Sequence, residues 1–369
     1  MAETATVDAL ERALATVIDP ELHRPMLQLG MLRDIAIDGD VAAVRVVLTT
    51  PACPLKDRIQ ADIDAAVIGT VPGISGVRVT WDSNVSSTRG LPGRQEIPGV
   101  RNAVAISAGK GGVGKTTLSV NVALALLRSG ARVGLLDADV YGPNVPLMLG
   151  LAGQPKATPD GTKMLPLEAH GLKVISFGNI LKPGEPVIWR GPMLAKALRE
   201  FLYEVAWGEL DYLVIDLPPG TGDVQLSLAQ SMPMTGAVIC TTPQDVSLAD
   251  VSRGIAMFRK LNVPVLGVVE NMSGFVCPHC NERTDIFGSG GGEELARRYE
   301  VPFLGAIPLD PRIRLGEQGA PFMVAASKSP VGRIFSDVAS HIAAEVSKEN
   351  FSAAAPPAMP TGPRVQLAR

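Results

Sequence analysis

Short apolar segments alternate with amphipathic ones along most of the chain from residue 102 onward. Seven apolar segments rich in Val, Ile and Leu predict strands: AVAIS, VGLLD, KVISF, YLVID, GAVIC, VLGVVE and FLGAIP. Because these runs are nearly continuously apolar, both faces of the sheet should be covered by helices. The pattern predicts an α/β fold with a mostly parallel, doubly wound sheet over residues 101–349.

A different pattern precedes this region. Its predicted helices and strands lie at residues 7–17, 41–48, 56–68 and 77–81. Residues 1–88 should therefore form a small α+β domain of their own. The stretch at 89–100 is rich in Gly and Pro and lacks apolar periodicity, so we interpret it as a linker.

The end of the chain has its own pattern. The last predicted helix covers residues 331–346. Residues 350–369 are rich in Pro and Ala and have no helical face, so we expect them to form a disordered tail.

Charge and hydropathy narrow the possible environments. The formal net charge of −3 provides no basic footprint for nucleic acid. No run approaches the roughly 20 apolar residues that a membrane-spanning helix needs, and the first residues lack a signal-peptide pattern. We therefore expect a cytoplasmic protein that binds neither nucleic acid nor membranes.

One glycine-rich segment follows the first strand of the α/β region and precedes an apolar helix. It reads GKGGVGKTT and matches the G-x-x-x-x-G-K-[ST] phosphate loop in the required context. Its glycines let successive N–H groups face phosphate oxygens. Lys115 should reach the β- and γ-phosphates of ATP, and the Thr116 hydroxyl should bind Mg²⁺. The predicted nucleotide loop consists of Gly109, Lys110, Gly111, Gly112, Val113, Gly114, Lys115, Thr116 and Thr117.

Acidic residues follow or end two later strands. The carboxyl ends of parallel strands are where α/β sheets bind their ligands. Asp216 closes YLVID and is suited to hold Mg²⁺ through water. Asp137 and Asp139 stand two residues apart, so in an extended segment they could point the same way. One could contact metal-bound water while the other orients the attacking water. The alternative is that these acids are ordinary turn residues at strand ends.

The four cysteines are too few for a disulfide scaffold, but two of them are spaced for a metal. Cys277 and Cys280 form a C-x-x-C pair that fills half of a tetrahedral site, and a two-fold dimer would supply the other half. An iron–sulfur cluster, zinc, a redox-active pair and an incidental pair all remain open. Cys240 should be a buried small hydrophobe. Cys53 precedes a helix whose N-terminus could lower its thiol pKa, or it is a structural residue.

The motifs together resemble those of the deviant-Walker-A ATPases, and most closely the Mrp/ApbC branch of iron–sulfur cluster carriers. The resemblance rests on KGGVGKTT, DADVYGPNVP, WRGPM, DLPPGTGD, ENMSGFVCPHC and IPLDPRIR, in this order. The N-terminal region is similar to a small iron–sulfur-assembly domain, with IDPEL, a turn at Gly30 and TTPACPLKD as its marks. The resemblance covers the chain up to its Pro- and Ala-rich end.

The resemblance implies an ATPase that carries a cluster, [4Fe–4S] by expectation, between the subunits of a homodimer. Lys110 would be the signature lysine that reaches the partner's nucleotide. Asp139 would orient the attacking water, Asp137 would lie near Mg²⁺, and Asn271 would contact adenine. The implied partners are apo iron–sulfur proteins and cluster scaffold proteins.

Two other classes share the loop motif. A positioning ATPase of the partitioning or Min type, with a structural zinc site, should carry a basic or amphipathic surface element, and the C-terminal segment has none. A nitrogenase-like reductase spreads its two cluster cysteines far apart in sequence, whereas Cys277 and Cys280 lie together. The carrier is therefore the favoured hypothesis.

Overall fold

The computed structural model describes residues 6–87, 96–180, 191–222, 225–226, 229–230, 232–277, 279–280, 282–315 and 319–354. These residues form a three-stranded and a nine-stranded sheet. The predicted linker at 89–100 lies partly outside the described ranges, as do Trp189 and Arg190 of the WRGPM motif.

The smaller sheet belongs to the N-terminal region. Its elements are α1 (Val7–Leu14), β1 (Leu32–Asp38), β2 (Val41–Leu48), α2 (Lys56–Val67) and β3 (Gly76–Ser83). Strand β2 pairs antiparallel with β1 and parallel with β3. Every second residue of β2 is buried, and these residues pack with the apolar faces of both helices. The α+β pattern is as the sequence predicts, while β1 was not predicted.

The larger sheet contains the predicted strands of the α/β region. Its strands are β4 (Val100–Ala108), β5 (Val133–Asp137), β6 (Leu167–Ala169), β7 (Leu172–Ser176), β8 (Leu210–Asp216), β9 (Gly236–Thr241), β10 (Val265–Val276), β11 (Arg283–Thr284) and β12 (Phe303–Leu309). They follow the order β10-β9-β4-β8-β5-β7-β6, and β11 and β12 both pair with β10. Only β6 and β11 run antiparallel, so the predicted mostly parallel sheet is confirmed.

Helices cover both faces of this sheet. They are α3 (Lys115–Arg128), α4 (Val145–Leu149), α5 (Gly191–Tyr203), α6 (Asp245–Lys260), α7 (Gly291–Arg298), α8 (Pro311–Leu315), α9 (Phe322–Ala325) and α10 (Pro330–Ala354). Apolar residues of α3 and α10 form one core, and those of α5, α6 and α7 form the other. None of the helices within the described ranges combines the length and apolarity needed to cross a bilayer.

The carboxyl ends of the central strands meet at one edge of the sheet. Strand β4 lies between β8 and β9, and the nucleotide loop follows it. Asp137 at the end of β5 pairs in register with Asp216 at the end of β8. Such an edge, where neighbouring strands connect in opposite directions, is where α/β sheets bind ligands.

The N-terminal region packs against the large sheet at the amino ends of its strands, opposite the nucleotide loop. Thr50 Oγ1 and Tyr212 Oη lie 3.0 Å apart, and both side chains are fully buried. Ala52 belongs to the apolar core of the large sheet. Tyr212 lies near the start of β8, so this contact is at the amino ends of the strands, away from the nucleotide loop.

Helix α10 is longer than the sequence pattern predicts. It continues to Ala354, so residues 350–354, which were expected to belong to a disordered tail, are helical. Asn350 explains the extension because its buried amide donates to Asn102 Oδ1 at 2.9 Å and to Ser86 Oγ at 3.0 Å. These contacts are long-range and leave no local signal. Residues 355–369 lie outside the described ranges.

Candidate nucleotide site and cysteine hairpin

The loop between β4 and α3 has the curled backbone that its glycines permit. Gly112 and Gly114 adopt left-handed φ angles of 80° and 83°. Gly109 is required for another reason, since a Cβ there would lie 2.4 Å from Asp250 Cβ on α6. Helix α3 begins at Lys115 directly after Gly114, so its first N–H groups have no partner within the helix and can bind phosphate oxygens.

Lys115 and Thr116 contact the same carboxylate. Lys115 Nζ lies 2.8 Å from Asp216 Oδ1, and Thr116 Oγ1 donates to Asp216 Oδ2 at 2.8 Å. Ser119, one helical turn along α3, donates to Asp216 Oδ1 at 2.6 Å. The structure thus brings three of the predicted site residues into direct contact.

The two acids that follow β5 lie beside this group. Asp139 Oδ2 is 3.6 Å from Lys115 Nζ. Asp137 Oδ2 accepts hydrogen bonds from Ser176 Oγ at 2.8 Å and from the backbone N–H of Val145 at 3.3 Å. The side chains of strand ends and of the nucleotide loop therefore form one polar cluster.

This cluster carries more negative than positive charge. The carboxylates of Asp137, Asp139 and Asp216 are buried around the single ammonium of Lys115. Burial, and then the charge of Asp216, raises the pKa of Asp137 above its usual range, and burial raises the pKa of Asp139. Excess buried negative charge favours a divalent cation, and hydroxyl and carboxylate oxygens are ligands that Mg²⁺ prefers. The residues present therefore fit Mg²⁺, which Thr116 and Asp216 would hold.

A cavity of about 360 Å³ opens beside these residues. The nucleotide loop, including Lys110, lines one side, and Asn144, Leu147 and Met148 line the other. Its volume lies within the range of small-molecule sites. Asp139 also lines the cavity, whereas Asp137 and Asp216 are fully buried next to it.

Asn271 lies behind the loop, in β10. Its Nδ2 donates to the carbonyl of Val113 at 2.8 Å, and its side chain is buried. In this arrangement the amide holds the backbone of the nucleotide loop. A contact with adenine, which the family resemblance implies, stays a prediction.

Cys277 and Cys280 lie at the turn of a hairpin formed by β10 and β11. Strand β10 ends at Val276, and the N–H of Cys277 donates to the carbonyl of Glu282 at 3.0 Å. Cys280 is exposed and Cys277 half-buried. The N–H groups of Cys280, and then those of His279, hold the pKa of the Cys277 thiol below its usual range. The hairpin therefore presents both sulfurs at the sheet edge that carries the nucleotide loop.

One protomer offers this hairpin only two thiolates. The part of the chain that the structure describes contains no group of three or more His, Cys, Asp or Glu side chains that could hold a metal ion. A structural tetrahedral zinc site and a [4Fe–4S] cluster each use four protein ligands. The two thiolates of this hairpin make up half of such a ligand set.

The other two cysteines lie away from the hairpin. Cys240 is fully buried in β9, as expected for a small hydrophobe. The interpretation of Cys53 as a thiol with a lowered pKa is wrong: burial raises its pKa to about 11, which outweighs the hydrogen bond from the N–H of Leu55. Cys53 packs against the N-terminal core, where its thiol is poorly solvated.

Family comparisons assign both parts of the chain. Residues 99–343 match the family described as NUBPL iron-transfer P-loop NTPase, and residues 7–81 match that described as iron-sulfur cluster assembly protein. The first match covers well over half of the chain. The chain belongs to the NUBPL iron-transfer P-loop NTPase family. The family resemblance recognised in the motifs is thereby confirmed.

Curated relatives of this NTPase are similar over almost its full length. An iron-sulfur cluster carrier protein of Synechocystis sp. is 50% identical over 347 residues, which cover 93% of this chain and 98% of that one. The protein of that name from Deinococcus radiodurans is 51% identical, with 94% and 97% coverage. The Escherichia coli K12 protein is 41% identical and covers 90% of each chain.

Solved structures agree with the NTPase fold. A nucleotide-binding protein of Archaeoglobus fulgidus in complex with ADP is 41% identical, with a TM-score of 0.54 over 60% of this chain and 88% of that one. The cell division ATPase MinD of Pyrococcus furiosus has a TM-score of 0.50 at 23% identity, over 65% of this chain and 98% of its own. The MinD likeness concerns the fold alone.

Sequence reasoning missed two hydroxyl groups in the NTPase site. Ser119 contacts Asp216, and its position three residues after Thr116 on a helix is a signal that could have found it. Ser176 contacts Asp137 because the two residues are register partners in β7 and β5. That contact depends on strand order, which the local sequence does not show.

Proposed function

We propose that this NTPase is an ATP-dependent iron–sulfur cluster carrier that holds its cluster between two subunits and transfers it to apo-proteins. The observation that supports the proposal most strongly is the hairpin, which holds Cys277 and Cys280 close together at the surface, with no third metal ligand beside them among the described residues. A two-fold axis next to this hairpin would bring four thiolates together. Four thiolates match a [4Fe–4S] cluster, which we propose as the cargo.

The nucleotide loop suggests how the dimer is controlled. Lys110 lines the cavity beside Lys115. Lys115 already contacts Asp216 of its own protomer. We propose that Lys110 instead reaches the nucleotide of the partner, so that ATP draws the subunits together. Loss of the γ-phosphate would then loosen the contact and the grip on the cluster.

Hydrolysis would use the polar cluster at the strand ends. Mg²⁺ would neutralise charge on the phosphate oxygens when bound to Thr116 and, through water, to Asp216. Lys115 would move from Asp216 towards the β- and γ-phosphates. Asp139 lines the cavity and would orient the attacking water, while Asp137, held by Ser176, would support the metal-bound waters.

The proposed recipients are apo iron–sulfur proteins, and scaffold proteins would supply the cluster. Iron binding requires reduced thiols, and a reducing compartment keeps them so. We therefore place the carrier in the cytoplasm.

Separate variants of the two sites test this function. Lys115→Ala should abolish ATP hydrolysis, because it removes the charge that binds the phosphates, and should leave iron binding in place. Cys277→Ala/Cys280→Ala should lose the cluster and keep ATP binding within about threefold of wild type. Cys53→Ala, a control outside the hairpin, should keep both. A cluster that survives in the double variant would contradict the proposal.

A further inference from the structure

The cysteine hairpin is anchored to the sheet through one buried carboxylate. Glu270, in β10, accepts hydrogen bonds from the N–H groups of Gly290 at 2.9 Å and Gly292 at 2.5 Å. Its side chain is fully buried. These glycines lie where the chain returns from the hairpin and begins α7. The segment from 277 to 289, which carries both hairpin cysteines, therefore leaves β10 and comes back to it at Glu270.

The next residue of β10 contacts the nucleotide loop. Asn271 Nδ2 donates to the Val113 carbonyl at 2.8 Å. The approach is so close that a Cβ on Gly114 would lie 2.2 Å from this nitrogen. Met272 also lies near this position, with Cε 3.9 Å from where the Cβ would be. The nucleotide loop thus rests on the base of the cysteine hairpin.

The backbone between Asn271 and Cys277 is irregular. Met272 has a φ of 59° and Gly274 a φ of 71°, both in the left-handed region. The register between β10 and β12 shifts between Asn271 and Phe275. A break of this kind changes the direction of a strand at that point. The regular pairing of β10 with β12 is therefore interrupted between the contact with the nucleotide loop and the hairpin.

We propose that Glu270 and Asn271 couple the nucleotide loop to the cysteine hairpin. Asn271 moves with the Val113 carbonyl when the nucleotide loop closes on a γ-phosphate. Glu270, through its hydrogen bonds to Gly290 and Gly292, moves the segment that returns from the hairpin together with Asn271. The orientation of Cys277 and Cys280 then depends on the bound nucleotide. Asn271 acts as a positioning residue. This inference rests on the proposed carrier function, because it makes nucleotide state control the grip on the cluster.

The test measures the hairpin without iron. In metal-free protein, the alkylation rates of Cys277 and Cys280 are followed by peptide mass spectrometry with Mg²⁺ and either ADP or a non-hydrolysable ATP analogue. In the wild type the two nucleotides should give rates that differ about fivefold or more. In Asn271→Ala this ratio should fall to about one when both nucleotides are present at saturating concentrations.

Two further variants separate coupling from general damage. Glu270→Gln leaves the Asn271 contact in place but loses one acceptor for the glycine N–H groups, so it should lower the ratio with unchanged nucleotide affinity. Asn179→Ala is the matched control, since Asn179 is equally buried and donates to the Gly153 carbonyl at 3.1 Å. It should keep the wild-type ratio.

The proposal is overturned if the wild-type rates do not depend on the nucleotide, or if both Asn271→Ala and Glu270→Gln keep the wild-type ratio. Because no iron is present, either result leaves the carrier function itself open to the separate test of cluster binding. A protein that couples its thiols to nucleotide but binds no cluster would refute the carrier and retain the coupling.

Discussion

Asp137 is the site residue whose surroundings favour its charged form least. It is fully buried next to Asp216, and Lys115 already lies against Asp216 at 2.8 Å. The hydroxyl of Ser176, two backbone N–H groups, including that of Val145, and in part the ammonium of Lys115 compensate its charge. Folding of the nucleotide-free protein must therefore either protonate Asp137 or bury its charge, and a divalent cation would relieve this cost.

Asp137→Asn should stabilise the nucleotide-free protein by about 1–2 kcal/mol, because it removes the cost of protonating or burying this carboxylate and keeps an acceptor for Ser176. ATP hydrolysis should fall at least about 100-fold. Thermal unfolding and a phosphate-release assay measure the two effects. Asp211→Asn is the control: Asp211 is paired with Arg132 at 2.9 Å, so its loss should destabilise by about 1 kcal/mol. A destabilised Asp137→Asn protein would contradict this account of the site.

The thiol of Cys53 should react slowly with alkylating agents at neutral pH. Burial raises its pKa to about 11, so the thiolate fraction at pH 8 is roughly 100-fold below that of an ordinary cysteine. Its alkylation rate should keep rising up to about pH 11, whereas the rate of Cys277, whose pKa is lowered, should level off at a lower pH than that of an ordinary cysteine. Peptide-resolved alkylation measures both. Equal pH profiles would show that the thiol of Cys53 is not buried in solution.

The nucleotide loop and β10 meet at an unusually close contact. Gly114 has a φ of 83°, and Asn271 occupies the space that a side chain at Gly114 would need. Gly111 belongs to the same loop, but a Cβ there would meet nothing within 4 Å. The glycines of one motif therefore serve different structural purposes.

Gly114→Ala should destabilise the protein by about 2–4 kcal/mol, since the new methyl group needs both a strained backbone and a displaced Asn271. Gly111→Ala should change the stability by less than about 0.5 kcal/mol. Urea unfolding of the two variants gives the comparison. If both variants were equally stable, the close packing of β10 against the loop would be absent in solution.

The elements show where sequence reasoning succeeds. The nucleotide loop and the strand ending in Asp216 have local signals, because glycine spacing and apolar runs act within a few residues. The contact of Ser176 with Asp137 requires the strand order, and the bond from Asn271 to the loop requires two strands to lie in one sheet. The raised pKa of Cys53 and the helical conformation of Asn350 come from packing between distant segments. Local patterns carry no information on such contacts.

The two parts of the molecule are joined at the edge opposite the nucleotide loop. Thr50 and Tyr212 share a buried hydrogen bond, and Arg24 lies over the ring of Phe351 at 5.3 Å. Cys53 follows this contact by three residues, whereas Cys277 lies at the carboxyl ends of the strands. Within one protomer the N-terminal region therefore packs far from the proposed cluster.

Tyr212→Phe should destabilise the protein by about 1–2 kcal/mol, because it removes the buried hydrogen bond between Tyr212 and Thr50. The transition should stay a single one if the two parts unfold together. Tyr141→Phe, at a residue that is 65% exposed, is the control and should have no measurable effect. Calorimetry of the three proteins provides the test. An unchanged transition in Tyr212→Phe would contradict the buried contact between the N-terminal region and the large sheet.

The most direct test of the carrier is anaerobic reconstitution with iron and sulfide, followed by metal analysis and measurement of the molecular mass in solution. The account predicts about four iron and four sulfide per dimer, lost in Cys277→Ala/Cys280→Ala together with the cluster absorption. Zinc alone in the wild type, or a full cluster in a strictly monomeric protein, would contradict it.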